Sequence, residues 1–290
     1  MKKEKFLFVF FILIIITTGC MKDKSPEYIK RVNLYESYIQ TLDASDPHSI
    51  DRAYVYFKNN LYDLKTVYRD TAFVAFRIFY LHCIDEINRM AANDSLSSKP
   101  MTKPALFTAK FEHTLDTNGI IIRQSSLGYI ADQRPGYLLE HFSDYLSNDL
   151  KTFLSIRDKE LNQGFSMNTT LTIPFPQVGE RVITWEKFLN DFPKSLLLNE
   201  ADARYRLYLS VFITGTQGTR LFNEDGVLRP DIKEAYVNFI NKHNDTQSGK
   251  LVSEYYSLLQ KNNFKYDMQI FALMKDKGIE TMINKVPPER

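Results

Sequence analysis

Asp132, Arg134, Glu140, His141 and Asp144 form the densest group of ionisable side chains in the chain, beside the irregular backbone of Arg134-Pro135-Gly136. Carboxylates and an imidazole held together could transfer protons, and the same residue types also make surface salt-bridge clusters. The pattern favours the surface cluster, and these five residues are the candidate site. Other starting points for chemistry are weaker. The five histidines, His48, His82, His113, His141 and His243, lie one to a helix or loop, with no His-Glu-x-x-His pair and no cysteine cluster. Neither a metal site nor a cofactor is expected.

Ser126-Leu127-Gly128 lacks the preceding glycine of a nucleophile elbow. Gly215-Thr216-Gln217-Gly218-Thr219 follows a helix, whereas a phosphate loop needs Gly-Lys-Ser or Gly-Lys-Thr opening one, so it reads as a helix stop and turn. Asn223-Glu224-Asp225-Gly226 lacks the later ligands of a calcium loop and reads as a turn closing the ribbon of Leu221-Phe222 and Val227-Leu228. Cys83 falls in the apolar stripe of a helix and is expected to be a buried structural thiol. His82 points about 100° away from it and belongs with Asp85 and Glu86 on a solvated edge.

The elements that must hold these residues are mostly helices. Ser25-Pro26-Glu27 opens one to about residue 41, and Asp46-Pro47 another to about residue 64. Asp70 is expected to cap a helix over 71–91, where Ala72, Phe73, Phe76, Phe79, Tyr80, Cys83, Ile84, Ile87 and Met90 recur at spacings of three and four. After a polar loop over 92–103, Pro104 opens a helix to about 117. Ile120-Ile121-Ile122 and Tyr129-Ile130-Ala131 then read as a β-hairpin over 120–131. Helices follow at 137–146 and 149–161. Residues 162–177 read as an irregular connection or short edge strand, and further helices are expected at 178–191, 197–213, 231–242, 248–261 and 267–276.

The fold class is therefore mainly α, with stacked antiparallel helix pairs, α-solenoid-like or an irregular bundle, carrying one small β-hairpin. Residues 26–161 make an N-terminal helical part with the hairpin, and 178–284 a C-terminal helix-pair part, either as separate units or as parts of one continuous domain. Most of the 17 tyrosines and 21 phenylalanines keep helical spacing and read as core. Trp185 shares a helix face with Val182 and Leu189, which favours burial over a sugar-stacking platform.

The amino terminus is an address. Lys2, Lys3 and Lys5 precede eleven apolar residues over 6–16, then Thr17-Thr18-Gly19 and Cys20. This is a signal-peptide layout over 1–19, too short for a lasting transmembrane helix. The Thr17-Thr18-Gly19-Cys20 run resembles the lipobox of bacterial lipoproteins, with Thr17 where leucine is usual. The resemblance implies lipidation of Cys20 after removal of the leader and a lipidated tether over 20–25. Multiple acyl chains would anchor the chain to a membrane without spanning it. The leader takes three of the 37 basic and one of the 35 acidic residues, leaving 34 of each. Without a clustered positive field, nucleic-acid binding is not expected.

Phe188-Leu189-Asn190 with Ser195 and Tyr205 matches Phe239-Ile240-Asn241 with Thr246 and Tyr256 at an offset of 51 residues. The segment Phe188 to Ser195 resembles the turn between tetratricopeptide-type units of envelope lipoproteins, and over residues 185–260 that resemblance implies helix pairs stacked on one another.

These readings converge on an anchored envelope lipoprotein, expected at the outer membrane and facing the periplasm or cell surface. It would act as a noncatalytic scaffold or accessory subunit with an envelope protein partner. The alternatives are a glycan- or peptide-binding lipoprotein using exposed aromatics, or an envelope hydrolase whose carboxylates come from distant helices.

Overall fold

A computed structural model describes residues 26–95, 102–125 and 128–279. The leader, Cys20 and the tether lie outside the described residues, as do residues 96–101, 126–127 and 280–290. Proline stands at or beside the start of four helices, where its fixed φ suits the first turn and its missing N–H goes unused. These are α1 (Glu27–Gln40), α2 (His48–Asn60), α7 (Phe175–Asp191) and α9 (Pro230–His243).

The longest helix is α3 (Thr66–Ser95), which packs against α1 and α2. It begins before Asp70, so Asp70 is not its cap. The extra turn is held because Tyr68 stacks on Tyr28 of α1 at 4.3 Å between ring centroids. Asp70 instead lies buried on the side of α3, where its Oδ1 accepts the Ser147 N–H at 3.0 Å. At the other end the helix takes in residues 92–95 of the expected loop.

The next helix, α4 (Ala109–Thr117), starts later than Pro104 because Thr108 caps it, accepting the Phe111 N–H at 3.2 Å. Strands β1 (Ile120–Ser125) and β2 (Gly128–Gln133) form the expected antiparallel hairpin, in register from Ile120 opposite Gln133 to Ser125 opposite Gly128. The hairpin runs two residues beyond 131 and packs on α3. Helix α5 (Tyr137–Phe142) ends four residues short of the expected 146, and Ser147 then leads into α6 (Asn148–Gln163).

Between α6 and α7 the irregular connection contains a second, two-residue hairpin, β3 (Ser166–Met167) and β4 (Thr170–Leu171). Its turn residues Asn168 and Thr169 both have positive φ, the geometry a two-residue hairpin loop requires. The strained Thr169 is held by its neighbours, since its carbonyl accepts bonds from the Gly218 N–H and the Thr216 hydroxyl. Gly218 leaves room for that approach, because a Cβ there would collide with Thr170.

The C-terminal part is two helix hairpins. Helices α7 and α8 (Leu198–Thr214) form one, α9 and α10 (Gln247–Lys261) the other, and α7 touches both α9 and α10. Phe222 bridges to Leu228 in the expected ribbon, and α11 (Met268–Asp276) closes on α10.

Aromatic residues dominate the core. Phe142 contacts Phe57, Phe73 and Phe76 in the N-terminal part, and Phe212 contacts Phe175, Tyr236 and Phe239 in the C-terminal part. Burying each such ring contributes about 1.5–3 kcal/mol. Trp185 and Cys83 are fully buried. No described helix is long and apolar enough to cross a membrane.

Candidate functional site

The five residues singled out by sequence do not converge. Arg134 and Glu140 pair at 2.7 Å on the surface, with the Arg134 guanidinium 5.4 Å from the centre of the Tyr137 ring. His141 turns inward, its Nδ1 lying 2.9 Å from the Tyr137 carbonyl oxygen and its ring against Tyr54 and Tyr137. Asp144 is exposed. Asp132 leaves the group altogether and pairs with Arg123 across the β1–β2 hairpin at 2.9 Å. Among the described residues no three His, Cys, Asp or Glu side chains are grouped to hold a metal ion.

Asp132 leads to a different cluster. Arg123, Asp132, Arg157, Glu160, Leu161, Gly164, Arg181, Arg204 and Tyr208 line a cavity of about 60 Å³. Helical spacing brings them there. Arg157 and Glu160 are three apart on α6, continuing the buried stripe of Leu150, Phe153 and Leu154. Glu200, Arg204 and Tyr208 are four apart on α8, and α7 contributes Arg181. Arg123 and Asp132 are diagonal neighbours on one face of the hairpin, since Arg123 lies opposite Ile130.

The wall is a network of ion pairs. Glu160 receives Arg157 Nη1 on Oε2 at 2.5 Å and the Trp185 indole N–H on Oε1 at 2.7 Å. Arg181 donates to the Gly164 carbonyl at 2.6 Å, to Gln163 Oε1 at 3.2 Å and to the Tyr208 hydroxyl at 3.1 Å. Its guanidinium also lies against the rings of Phe165 and Tyr208. Arg77 of α3 adds a bidentate pair with Glu200 just behind.

Electrostatics follow from this crowding. Burial lowers the Arg204 pKa, and the nearby Arg157 charge lowers it further. Burial would do the same to Arg157, but Glu160, Tyr208 and Glu200 together outweigh it and the net shift is upward. Burial pushes the Tyr208 phenol up to about 12, so at neutral pH it stays a hydroxyl. The Nε atoms of Arg157 and Arg181 are buried without a hydrogen-bond partner. Guanidiniums remain charged at any ordinary pH. The wall therefore supplies fixed positive charge and hydrogen-bond donors, which suits electrostatic binding.

Of this cluster, sequence reasoning reached only Asp132. A signal for the rest existed: Arg157 and Glu160 occupy stripe positions where an apolar residue is expected, and charges are rarely buried unless paired.

The 51-residue offset also has a structural counterpart. Phe188 and Phe239 are both buried at helix ends before a turn, and the same offset relates the buried pairs Trp185 and Tyr236, Ala201 and Val252, and Tyr208 and Leu259. No family model, curated protein or solved structure matches the chain.

Proposed function

We propose that this chain is a bacterial envelope lipoprotein, anchored through acylated Cys20, that works as a noncatalytic scaffold or accessory subunit by binding an envelope protein. The amino-terminal pattern from Lys2 to Cys20 supports the anchor and an outer-membrane location facing the periplasm or cell surface.

The observation that carries the binding role is the packing of hairpin α7–α8 beside α9–α10, in which Trp185, Phe188, Ala201 and Tyr208 are buried, as are Tyr236, Phe239, Val252 and Leu259 51 residues later. Stacked helix pairs bury one face on each other and leave extended outer faces for a partner, and the step from this architecture to protein contact is an inference from fold.

The test is crosslinking in intact cells, detergent extraction through a C-terminal tag and mass spectrometry. One stoichiometric envelope partner is expected, and it is lost when Cys20→Ser releases the chain from the membrane. Absence of any partner above background, or a partner retained unchanged in Cys20→Ser, sinks the anchored-scaffold reading.

A further inference from the structure

We propose that the arginine-lined cavity between α6, α7, α8 and the β1–β2 hairpin binds a small dianionic oxyanion, of the phosphate or sulfate type. This goes beyond the scaffold reading and does not depend on it.

Charge gives the first reason. Four guanidiniums, those of Arg123, Arg157, Arg181 and Arg204, line the cavity with only two carboxylates, Asp132 and Glu160. The surplus is two positive charges. Adding the Arg77–Glu200 pair behind the wall leaves the surplus unchanged. Asp158, next to Arg157 in sequence, does not line the cavity; its carboxyl accepts a backbone hydrogen bond from Gly136 and offsets part of the Arg157 charge from behind, which still leaves the lining net positive.

Unmet donors give the second reason. Arg157 and Arg181 are 6% and 5% exposed, and the Nε–H of each has no acceptor within the protein. Burying a donor without a partner costs about 1–3 kcal/mol, and more for a charged group, so these atoms call for an acceptor. Guanidinium forks match the oxygen spacing of phosphate-like ions and bond to them more strongly than to neutral groups. The Tyr208 hydroxyl, which accepts from Arg181, keeps its own proton to donate.

Size and access fit as well. A cavity of about 60 Å³ has room for more than one water, hence for a compact ion rather than an extended ligand. The lining grades from buried Arg157, Glu160, Arg181 and Tyr208 to half-buried Arg204, Leu161 and Gly164, so it opens toward solvent.

The test is calorimetric titration of the purified full-length protein in detergent, at fixed chloride, with inorganic phosphate, sulfate and acetate in turn. Phosphate and sulfate are expected to bind one per chain, with the singly charged acetate weaker by about tenfold or more. Arg181→Gln and, because Arg181 also ties α7 to Gly164, the less buried Arg204→Gln are each expected to weaken binding by about tenfold. Circular dichroism would confirm that each variant is folded.

Glycerol 3-phosphate separates two sources of the same chemistry. Binding as tight as phosphate assigns the terminal group of a larger molecule, and exclusion assigns the free ion. No saturable binding of phosphate or sulfate below about 10 mM overturns the proposal. So does acetate binding equally well, or affinity unchanged in folded Arg204→Gln.

Discussion

Arg77 on α3 and Glu200 on α8 meet through two parallel bonds, Nη1 to Oε2 at 2.7 Å and Nη2 to Oε1 at 2.8 Å, across 123 residues of chain. The pair is asymmetric, with side-chain exposures of 6% for Arg77 and 30% for Glu200. That asymmetry decides which deletion is worse.

Glu200→Gln strands a buried guanidinium and should cost about 3 kcal/mol, the lower end for breaking a buried pair because Glu200 is partly solvated. Arg77→Met leaves a carboxylate that water and Arg204 can still serve, and should cost only about 1–2 kcal/mol. Burial raises the Glu200 pKa, but the charge and bonds of Arg77, helped by Arg204 and Arg157, outweigh it and hold the carboxyl below the ordinary glutamate value of 4.5. The unfolded chain therefore binds the extra proton first. Stability from this pair is complete above about pH 4.5 and drains away as pH falls through the lower folded value. Denaturant melts between neutral and acid pH should show a shallower acid loss in Glu200→Gln, and equal slopes or a reversed order of costs would refute the assignment.

Asp70 behaves in the opposite sense. It is 7% exposed and holds the entry to α6 by accepting the Ser147 N–H. Burial pushes its carboxyl pKa up, only partly offset by the bonds from Ser147. The folded state thus binds the proton first, and at neutral pH the Asp70 charge costs stability. Asp70→Asn keeps an acceptor oxygen and removes the charge, so it should be neutral or stabilising by up to about 1 kcal/mol, whereas Asp70→Ala should lose about 1–2 kcal/mol. Thermal melts at pH 7 decide this. Equal losses in both variants would mean that the charge itself is needed.

The two predictions also mark what the sequence could tell. Periodicity found the helices because Phe73, Phe76, Tyr80, Cys83 and Ile87 repeat at the spacing of one buried face. Proline placed the starts of α1 and α2, and the isoleucine run placed the hairpin. Asp70 misled because aspartate before an apolar stripe is also the signature of a cap. The earlier start goes with contacts that periodicity does not carry, the stacking of Tyr68 on Tyr28 of a separate helix and the bonds of Arg69 to Tyr62 and Thr66.

The candidate site failed for a related reason. Asp132, Arg134, Glu140, His141 and Asp144 are close in sequence, but strand alternation sends Asp132 to Arg123 while the turn at Gly136 redirects the others. The arginine cavity assembles from one hairpin and three helices, so no local spacing contains it. Its trace in sequence is one or two charges per element on otherwise apolar stripes.

Cys83 offers a direct probe of that helical core. The thiol is fully buried, and burial, helped by the charges of Asp43, Asp46 and Glu86, pushes its pKa up to about 12. At pH 8 the native thiolate fraction is then on the order of 10⁻⁴, and the packed stripe of α3 excludes reagent besides. In a Cys20→Ser background Cys83 is the only remaining cysteine of the chain's two. Maleimide at pH 8 should therefore label almost none of the native protein and one equivalent in denaturant, with the native rate following the population of opened molecules. Rapid native labelling would show that α3 is not held against α1 and α2 as described. Cys83→Ala should cost about 1–2 kcal/mol for the lost packing, and Cys83→Ser more, because it buries a hydroxyl in an apolar stripe.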